Sequence, residues 1–533
     1  MIPTMNTAFD SPIGITVAGT YQSSYEAILS PEALDFLTAL HEHFDHRRKL
    51  LLDDRHQRQL LFNQGQFPDL PSGLYSSTSS SEWQVSPIST CLEERKVELI
   101  GAPLKDSIER AFESKAHVFI ADFEDMMTPS WSNIVEGQLH LHEAVFLSPR
   151  DNSRAEDAPV TESTPVIFVK PRGLHSIEMH LEIHGSPACG AFIDFGLYLF
   201  LNAHELMRQG HGPFFVLSKL ESQQEAKLWN DVFHFAQSYL GIPSGTIKAS
   251  ISIETVPALF EAEQILYQLK EHTADLRCHL WGLVHAHLIA FQGHKRLTLP
   301  NADQLTTEQS LIKVYADLVT HISHKRGTHA MSQLSACESA ASSDDLMIEK
   351  LIWEKEREVM AGFDGTTITN PNLIDVVSTV FNKNMKGKNQ IHEKRHDVQI
   401  KASDLISAPT GTVTEEGIRK NVNDTIVYFE SWLADRTSTT LPSPVESNAK
   451  AEVLRSQLWQ WLNHPTYLPD GRLVSEKLYR RCRQEELLKI RDKIGRQKFS
   501  KGRFEDAVKL LDELVLADCF SEHFSISGYQ MLN

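Results

Sequence analysis

The stretch IKASISIETVPALFEAEQILYQLKEHTADLRCHLWGLVHAH, residues 247–287, decides the fold class of this chain. Its first eight residues alternate apolar and polar side chains and end on Glu254, which is typical of a short β-strand. The next run, to about residue 269, carries apolar side chains at helical spacing. Residues 276–283 predict a second strand. A strand, a helix and a strand of this length form a parallel βαβ unit.

The same order of strand, polar or Gly-rich end and helix recurs about eight times between residues 97 and 380. This repetition predicts the α/β class and a TIM (β/α)8 barrel. A doubly wound open sheet would show the same local alternation, but the sequence contains no GxGxxG motif to favour it. Because catalytic groups of such barrels lie where strands end, we expect the site at Glu254 and Gly282.

The segments on either side of the barrel pattern are helical. Ser30 is a plausible helix N-cap followed by Pro31 at the first helical position, and a polar stretch at residues 68–81 predicts a surface loop. Beyond residue 405 the sequence shows helical patterns without intervening strands. We therefore divide the chain into an N-terminal helical arm (1–90), the barrel (91–404) and a C-terminal helical domain (405–533).

The composition excludes several classes of protein. A formal net charge of −18 argues against nucleic-acid binding, and 41% apolar with 23% charged residues argues against disorder. No apolar run is long enough to span a membrane, so no membrane partner is expected. Six cysteines without a CxxC pair suit the reduced thiols of a cytoplasmic protein.

Charged residues at the ends of predicted strands are the candidate site residues. Asp122, Glu124 and Asp125 close one strand and could position a metal ion, a water molecule or an arginine, or form an ion-paired loop. Arg172 follows another strand and could grip a carboxylate or stabilise an oxyanion, or cap the barrel end. Glu254 could be a metal ligand or a buried, ion-paired carboxylate.

Histidines cluster in the second half of the deciding stretch. His279, His285, His287 and His294 lie within sixteen residues beside Cys278, and imidazoles with a thiolate could form a transition-metal site. Their spacing matches no standard zinc motif, however, and the chain has 25 histidines, so a chance cluster is the alternative.

Several segments together resemble malate synthase of the compact, bacterial A type. They cover essentially the whole chain in order and include VFIADFEDMMTPSWSNIVEGQ, VKPRGLHSIEMH, FIDFGLYLFLNAHEL, LSKLESQQEAKLWNDVFHFAQ, IKASISIETVPALFEAEQILYQLKEH, SHKRGTHAM, FDGTTITNP and SQLWQWLNH. The resemblance implies a TIM barrel with an N-terminal helical clasp and a C-terminal helical plug. It also implies condensation of acetyl-CoA with glyoxylate, with Mg²⁺, followed by hydrolysis of malyl-CoA.

The resemblance also assigns roles, position by position. Arg172 matches the family's arginine in the PRG turn, and Glu254 matches its first Mg²⁺ ligand. The family's GRWDY motif, which supplies the second ligand, reads HLWGL here, so that Gly282 replaces the aspartate. The catalytic base of the family's MEDAATAE motif falls on Ser447, with Glu446 beside it.

These replacements point away from ordinary malate synthase turnover. A neutral serine does not accept the proton of a thioester methyl group, and one missing carboxylate leaves Mg²⁺ binding weakened or absent. One hypothesis is an enzyme of altered chemistry that acts on acetyl-CoA or another acyl-CoA and a small oxoacid, with Glu446 or one of His279, His285 and His287 as base.

Two further hypotheses remain open. In the second, the chain is a non-catalytic binding protein. In the third, it is an active malate synthase in which Glu446 replaces the base and Asp275 or Asp122 replaces the ligand. The resemblance implies a monomer or a small homo-oligomer in each case.

Overall fold

A computed structural model describes residues 14–70, 83–147, 164–335, 345–436, 445 and 447–532. Eight parallel strands close into a barrel, which confirms the predicted (β/α)8 architecture. In chain order they are β2 (Val97–Gly101), β3 (Val118–Asp122), β4 (Val166–Lys170), β7 (Phe214–Leu217), β8 (Lys248–Ser252), β9 (Thr273–Arg277), β10 (His329–Ser332) and β11 (Gly365–Ile368). Neighbours in sequence are neighbours in the barrel, and β11 closes it against β2.

Helices follow the strands and cover the outside of the barrel. They are α2 (Lys105–Glu113), α3 (Trp131–Leu147), α4 (Gly190–Gln209), α5 (Gln223–Leu240), α6 (Val256–Gln268), α7 (Leu280–Ala290), α8 (Ser310–Arg326), α9 (Asp345–Ala361), α10 (Ile374–Asn384) and the short α11 (Ala402–Leu405). Three remaining strands, β1 (Ile15–Val17), β5 (Ile177–Ile183) and β6 (Ser186–Cys189), form a small antiparallel sheet outside the barrel.

The deciding stretch folds as β8, α6, β9 and the first part of α7. The prediction of a strand over residues 276–283 was wrong in its second half, because β9 ends at Arg277 and α7 begins at Leu280. Leu280, Leu283 and Val284 are all buried. A helix buried on most sides lacks the polar face that would have distinguished it from a buried strand.

The flanking segments are helical, as the sequence predicts. A single helix, α1 (Pro31–Asn63), begins at Ser30, whose Oγ accepts a hydrogen bond from Ala33 N at 3.2 Å. The C-terminal part contains α12 (Glu415–Leu433), α13 (Asn448–Asn463), α14 (Glu476–Ile494), α15 (Arg496–Lys501), α16 (Phe504–Val515) and α17 (Phe524–Tyr529). Its buried side chains form a core of their own around Trp432, Trp461 and Phe524.

The helix α13 attaches the C-terminal part to the barrel. Trp461 is fully buried, and its Nε1 donates to the carbonyl of Leu299 at 2.8 Å. Gln457 donates to Pro300 O at 2.7 Å. No described helix has the length and apolarity required to cross a membrane.

The interior of the barrel contains a network of charged side chains as well as apolar ones. Arg95 donates to Asp275 at 2.6 Å, and Arg277 donates to Glu98 at 3.0 Å. All four are buried. A buried charge is tolerated when it is paired and hydrogen-bonded, so Asp275 belongs to the structural interior of the barrel.

A buried histidine between β8 and β9 gives the fold a pH-dependent stability. His272 Nδ1 donates to Ile247 O at 2.8 Å, and burial lowers the pKa of His272 to about 4. Between its unfolded and folded pKa values, the unfolded chain binds a proton that the folded ring does not bind. The free energy of unfolding therefore falls as the pH decreases from about 6.5 to about 4.

Replacing this ring should flatten that dependence. His272→Asn keeps a side-chain N–H donor but removes the titration, so the wild type should lose up to about 3 kcal/mol more than the variant between about pH 7 and pH 4. Urea unfolding across this range measures the difference, with the exposed His46→Asn as the control. Parallel pH curves for wild type and His272→Asn would contradict the assignment.

Candidate active site

The carboxyl ends of five neighbouring strands bring charged side chains together at one mouth of the barrel. Asp122 and Lys170 are the last residues of β3 and β4, and Lys219, Glu254 and His279 follow β7, β8 and β9 within two residues. Sequence analysis singled out Asp122, Glu254 and His279 but missed both lysines. Each lysine lies in a segment that carries the family resemblance, VKPRG or LSKLES, and this was the available signal.

The acidic cluster of the ADFED turn is ion-paired. Asp122 Oδ1 accepts the backbone N–H groups of Glu124 and Asp125, both at 2.8 Å, and so shapes the turn. Lys170 Nζ lies 3.1 Å from Asp122 Oδ2 and 2.5 Å from Asp125 Oδ2. Although burial raises the pKa of Asp125, Lys170 and Lys219 bring it well below its usual range. This cluster holds two ammonium groups at the mouth.

Lys219 connects the acidic turn with Glu254. Its φ of +54° is in the left-handed region, its Nζ binds Glu124, and its backbone N–H donates to Glu254 Oε1 at 2.8 Å. Asp125 Oδ1 makes no hydrogen bond and lies 3.6 Å from Lys219 Nζ. The lysine therefore contacts three of the four carboxylates at the mouth.

His279 occupies the other oxygen of Glu254. Its Nδ1 lies 2.6 Å from Glu254 Oε2, and both side chains are buried. Burial raises the pKa of Glu254, but the hydrogen bond and charge of His279 outweigh burial and lower it to about 2. The carboxylate is therefore ionised at neutral pH, and Nδ1 of the imidazole carries the donated hydrogen.

Gly282 lies directly against this pair. A Cβ atom built on Gly282 would lie 2.2 Å from Glu254 Oε2 and 2.9 Å from His279 Nδ1. The space in which a side chain at position 282 would begin is therefore filled by the bonded carboxylate and imidazole.

The residues at this mouth do not fit a Mg²⁺ ion. Both Glu254 oxygens already accept hydrogen bonds, and Gly282 offers no donor atom. Within the described ranges, no group of three His, Cys, Asp or Glu side chains is placed to hold a metal ion. A site for Mg²⁺ needs several oxygen ligands, whereas the group next to Glu254 Oε2 is the imidazole of His279, at 2.6 Å.

Arg172 lies to one side of the mouth and is fully engaged. Asp194 accepts from its Nε, Nη2 and backbone N–H, each at 2.9 Å, and Glu178 accepts from Nη1 at 2.9 Å. Burial raises the pKa of Glu178, and Arg172 outweighs burial to bring it to about 2. The cation that β4 presents to the mouth is Lys170, and the substrate-binding role of Arg172 stays a prediction.

Ser447 begins a helix at the mouth. It is the N-cap of α13, and its Oγ accepts from Lys450 N at 3.3 Å. The next residue, Asn448, donates from its backbone to Asp125 O at 2.8 Å and from Nδ2 to Glu124 O at 2.7 Å. These bonds seat Ser447 beside the acidic turn. Glu446 lies outside the described residues.

The predicted histidine cluster is dispersed. His287 packs on Phe291, with ring centroids 4.3 Å apart, and burial lowers its pKa to about 3. His294 Nε2 lies 2.6 Å from Phe62 O. Of the four, His279 and His285 are near the mouth, so the four do not form one metal site.

A different histidine group lines the mouth with His285. His523, from the segment before α17, lies with its ring centroid 5.6 Å from His285 and 4.1 Å from His175. Glu452 lies 3.7 Å from His285 Nε2 and 3.9 Å from His523 Nδ1. Burial lowers the pKa of all three histidines, that of His175 to about 4, so they are neutral at pH 7. His523 lies in no motif that we recognised, whereas His175 lies in the segment VKPRGLHSIEMH and was not singled out.

A small cavity joins these groups. It has a volume of about 50 Å³, and its lining includes Lys219, Glu254, Gly282, His285, Glu452 and His523. The cavity thus places two neutral imidazoles opposite the Glu254 carboxylate and next to an ammonium group. Such an arrangement can accept a proton and stabilise a developing negative charge.

Removing the guanidinium of Arg172 should destabilise the fold. Arg172→Met leaves Asp194 and Glu178 buried without their partner, and we expect a loss of about 3–5 kcal/mol in the free energy of unfolding. Denaturant unfolding at pH 7 measures it. In the control Lys115→Met, the lost ion pair with Asp375 is exposed, at 61% and 76% of the two side chains, and should cost under about 1 kcal/mol. Equal losses in the two variants would show that the buried carboxylates do not depend on Arg172.

Comparison with known proteins matches nearly the whole chain to one family. Three family models match in order: "Malate synthase, N-terminal domain" at residues 14–72, "Malate synthase, TIM barrel domain" at 166–408 and "Malate synthase, C-terminal" at 412–532. Malate synthase of Myxococcus xanthus (strain DK1622) is 38% identical over 97% of this chain and 96% of its own. Glyoxysomal malate synthase of Cucumis sativus is 35% identical over 98% and 94%, and malate synthase A of Escherichia coli (strain K12) is 33% identical over 96% and 97%. The chain belongs to the malate synthase family.

Proposed function

We propose that this protein binds an acyl-CoA thioester and a small oxoacid at the barrel mouth but has lost the ordinary Mg²⁺-dependent turnover of its family. Malate synthases use acetyl-CoA and glyoxylate. The observation that carries the proposal is the bond between His279 and Glu254 at 2.6 Å, beside Gly282. This bond occupies Glu254, which matches the family's first Mg²⁺ ligand. It does so beside Gly282, where the family's second ligand is missing.

The missing base supports the same conclusion. Claisen condensation begins with removal of a proton from the thioester methyl group, which requires a positioned carboxylate or imidazole. Ser447 stands at the family's base position, and its hydroxyl oxygen accepts a hydrogen bond from the α13 backbone. A serine in this role stabilises the helix and does not take the proton at neutral pH.

Anion binding is the property that the mouth retains. Lys170 and Lys219 are held there by the acidic turn, and burial opposes but does not prevent their protonation, because Asp122, Asp125 and Glu124 raise their pKa values. Lys219 lines the partly apolar cavity, and its ammonium group suits the carboxylate of an oxoacid or the carbonyl of a thioester.

Any proton transfer that this site still catalyses would depend on His285 and His523. Of the three histidines offered by sequence analysis as substitute bases, His279 is bonded to Glu254 and His287 packs on Phe291 away from the cavity. His285 lines the cavity, and its Nε2 makes no hydrogen bond. With His523 and Glu452 beside it, a neutral imidazole is available to accept a proton from substrate or water.

The alternative is an active malate synthase with substitute carboxylates. Asp275 does not support it, since it binds Arg95 at 2.6 Å inside the barrel, and Asp122 is engaged by Lys170 at 3.1 Å. Glu446 next to the base position is the substitution that this alternative requires. A non-catalytic binding protein is the other outcome, which a lack of any thiol release would favour.

We also place the protein in the cytoplasm. Cys189, Cys278 and Cys482 are buried free thiols, and burial raises the pKa of each. Protonated, buried thiols are unreactive and suit a reducing compartment.

The condensation assay tests the proposal. Release of CoA from acetyl-CoA plus glyoxylate with Mg²⁺ should be about 10²–10⁴-fold slower than that of an active relative assayed in parallel, because the general base is lost. A thiol reagent measures the release. A rate within about tenfold of the relative would overturn the proposal and favour the alternative with Glu446.

Binding should persist without metal. Acetyl-CoA titrated calorimetrically into the protein should give the same dissociation constant in EDTA and in Mg²⁺, because ammonium and imidazole groups face the cavity. The variant Lys219→Met should weaken binding, whereas the exposed Lys115→Met should not. Binding of acetyl-CoA that requires Mg²⁺ would contradict the proposal that the mouth binds its ligands without a metal ion.

Any thiol release that remains should depend on the histidine pair. The variant His285→Gln/His523→Gln should lower CoA release from acetyl-CoA or malyl-CoA about 10²-fold or more, with the exposed His46→Gln as control. An unchanged rate in the double variant would exclude both residues as the base.

A further inference from the structure

We propose that His279 and Gly282 form a built-in replacement for the divalent cation, in which the imidazole N–H takes the cation's place on Glu254. This inference rests on the proposed loss of metal-dependent turnover and goes beyond it. It gives the reason why Mg²⁺ does not bind at Glu254. It also identifies His279 and Gly282 as the two residues that must change together before Mg²⁺ can bind.

The first step is that an ionised, buried carboxylate requires partners. Glu254 is almost fully buried, and its two oxygens receive one N–H each, from the Lys219 backbone at 2.8 Å and from His279 Nδ1 at 2.6 Å. A buried carboxylate without such donors would be strongly destabilising. With them, Glu254 is satisfied by the protein itself.

The second step is that the backbone that carries the imidazole is anchored and the ring is buried. His279 is the residue before α7, and its backbone N–H donates to the Tyr315 hydroxyl on α8 at 2.9 Å. Its side chain does not cap α7 but bonds Glu254, which follows β8. The imidazole is therefore a buried group that links two barrel units, and not a surface side chain.

The third step is that the imidazole and Gly282 require each other. Any Cβ at position 282 would approach Glu254 Oε2 to 2.2 Å and His279 Nδ1 to 2.9 Å, well inside normal contact. The family motif has a glycine where this chain has His279 and an aspartate where it has Gly282. The larger side chain is thus at position 279 in this chain and at position 282 in the family motif.

This exchange makes a specific prediction about restoring the metal site. Gly282→Asp alone introduces a carboxylate into space that the imidazole and Glu254 occupy, so it should destabilise the protein without creating a site. His279→Gly alone releases Glu254 Oε2 from its hydrogen bond, so that the carboxylate can turn away from position 282, but it supplies one carboxylate fewer than the family uses. Only His279→Gly/Gly282→Asp both releases Glu254 and supplies the second oxygen ligand.

Metal binding measured without reference to activity tests the inference. Mn²⁺ is the probe, because free Mn²⁺ gives a sharp electron paramagnetic resonance signal that disappears on binding. The wild type should leave this signal unchanged up to about 1 mM protein. The double variant should bind about tenfold or more tightly than either single variant. Gly387→Asp, which adds the same group at an exposed glycine whose Cβ would come no closer than 3.4 Å to Asn389 O, is the control.

A measurement on the unaltered protein covers the case in which the variants fail to fold. About 10 mM Mg²⁺ should leave the melting temperature of the wild type unchanged, since a ligand stabilises only a protein that binds it. A rise in melting temperature that Glu254→Gln abolishes would overturn the inference.

The outcomes separate the inference from the proposed function. A double variant that folds and binds Mn²⁺ no better than the wild type overturns the inference alone. Gly282→Asp binding as tightly as the double variant would do the same, because the imidazole would then not exclude the ion. Fast condensation by the wild type overturns the proposed function instead.

Discussion

The bond between His279 and Glu254 is the interaction on which the character of the site depends. A closed parallel barrel brings the carboxyl ends of all its strands to one mouth. The strand ends at this mouth carry four buried carboxylates, those of Asp122, Glu124, Asp125 and Glu254. Each must be paired or hydrogen-bonded. Lys170 and Lys219 satisfy the acidic turn, and the imidazole satisfies Glu254. The requirement for partners is met from within the chain, and this removes the need for a metal ion.

The C-terminal helices complete the site and are not only a support for the barrel. Asn448, at the start of α13, bonds the carbonyl groups of Glu124 and Asp125, and Glu452 one turn later lies beside His285 and His523. The cavity is therefore made of residues from the barrel, from α1 and from two distant C-terminal segments. A change in how α13 attaches would move Glu452 relative to His285 and Glu254.

The sequence predicted the fold well because barrel periodicity is a local signal repeated eight times. Gly282 and Ser447 could be singled out from the sequence because they stand in recognisable motifs, and their assignment as replaced functional positions stays a prediction. The sequence could not reveal that Arg172 forms an ion pair with Asp194, twenty-two residues away, because this pairing depends on tertiary contacts. Nor could it show that His279 enters the space left by Gly282, or that His523 joins His285, because both facts require the path of the chain in space.

The position of the metal in a crystal tests the central claim most directly. A crystal soaked in Mn²⁺ and measured near the manganese absorption edge would show any bound ion as an anomalous peak. The account predicts no peak at Glu254 and His279 Nδ1 still in hydrogen-bond contact with Glu254 Oε2. A manganese peak on Glu254, with the imidazole turned away, would contradict it.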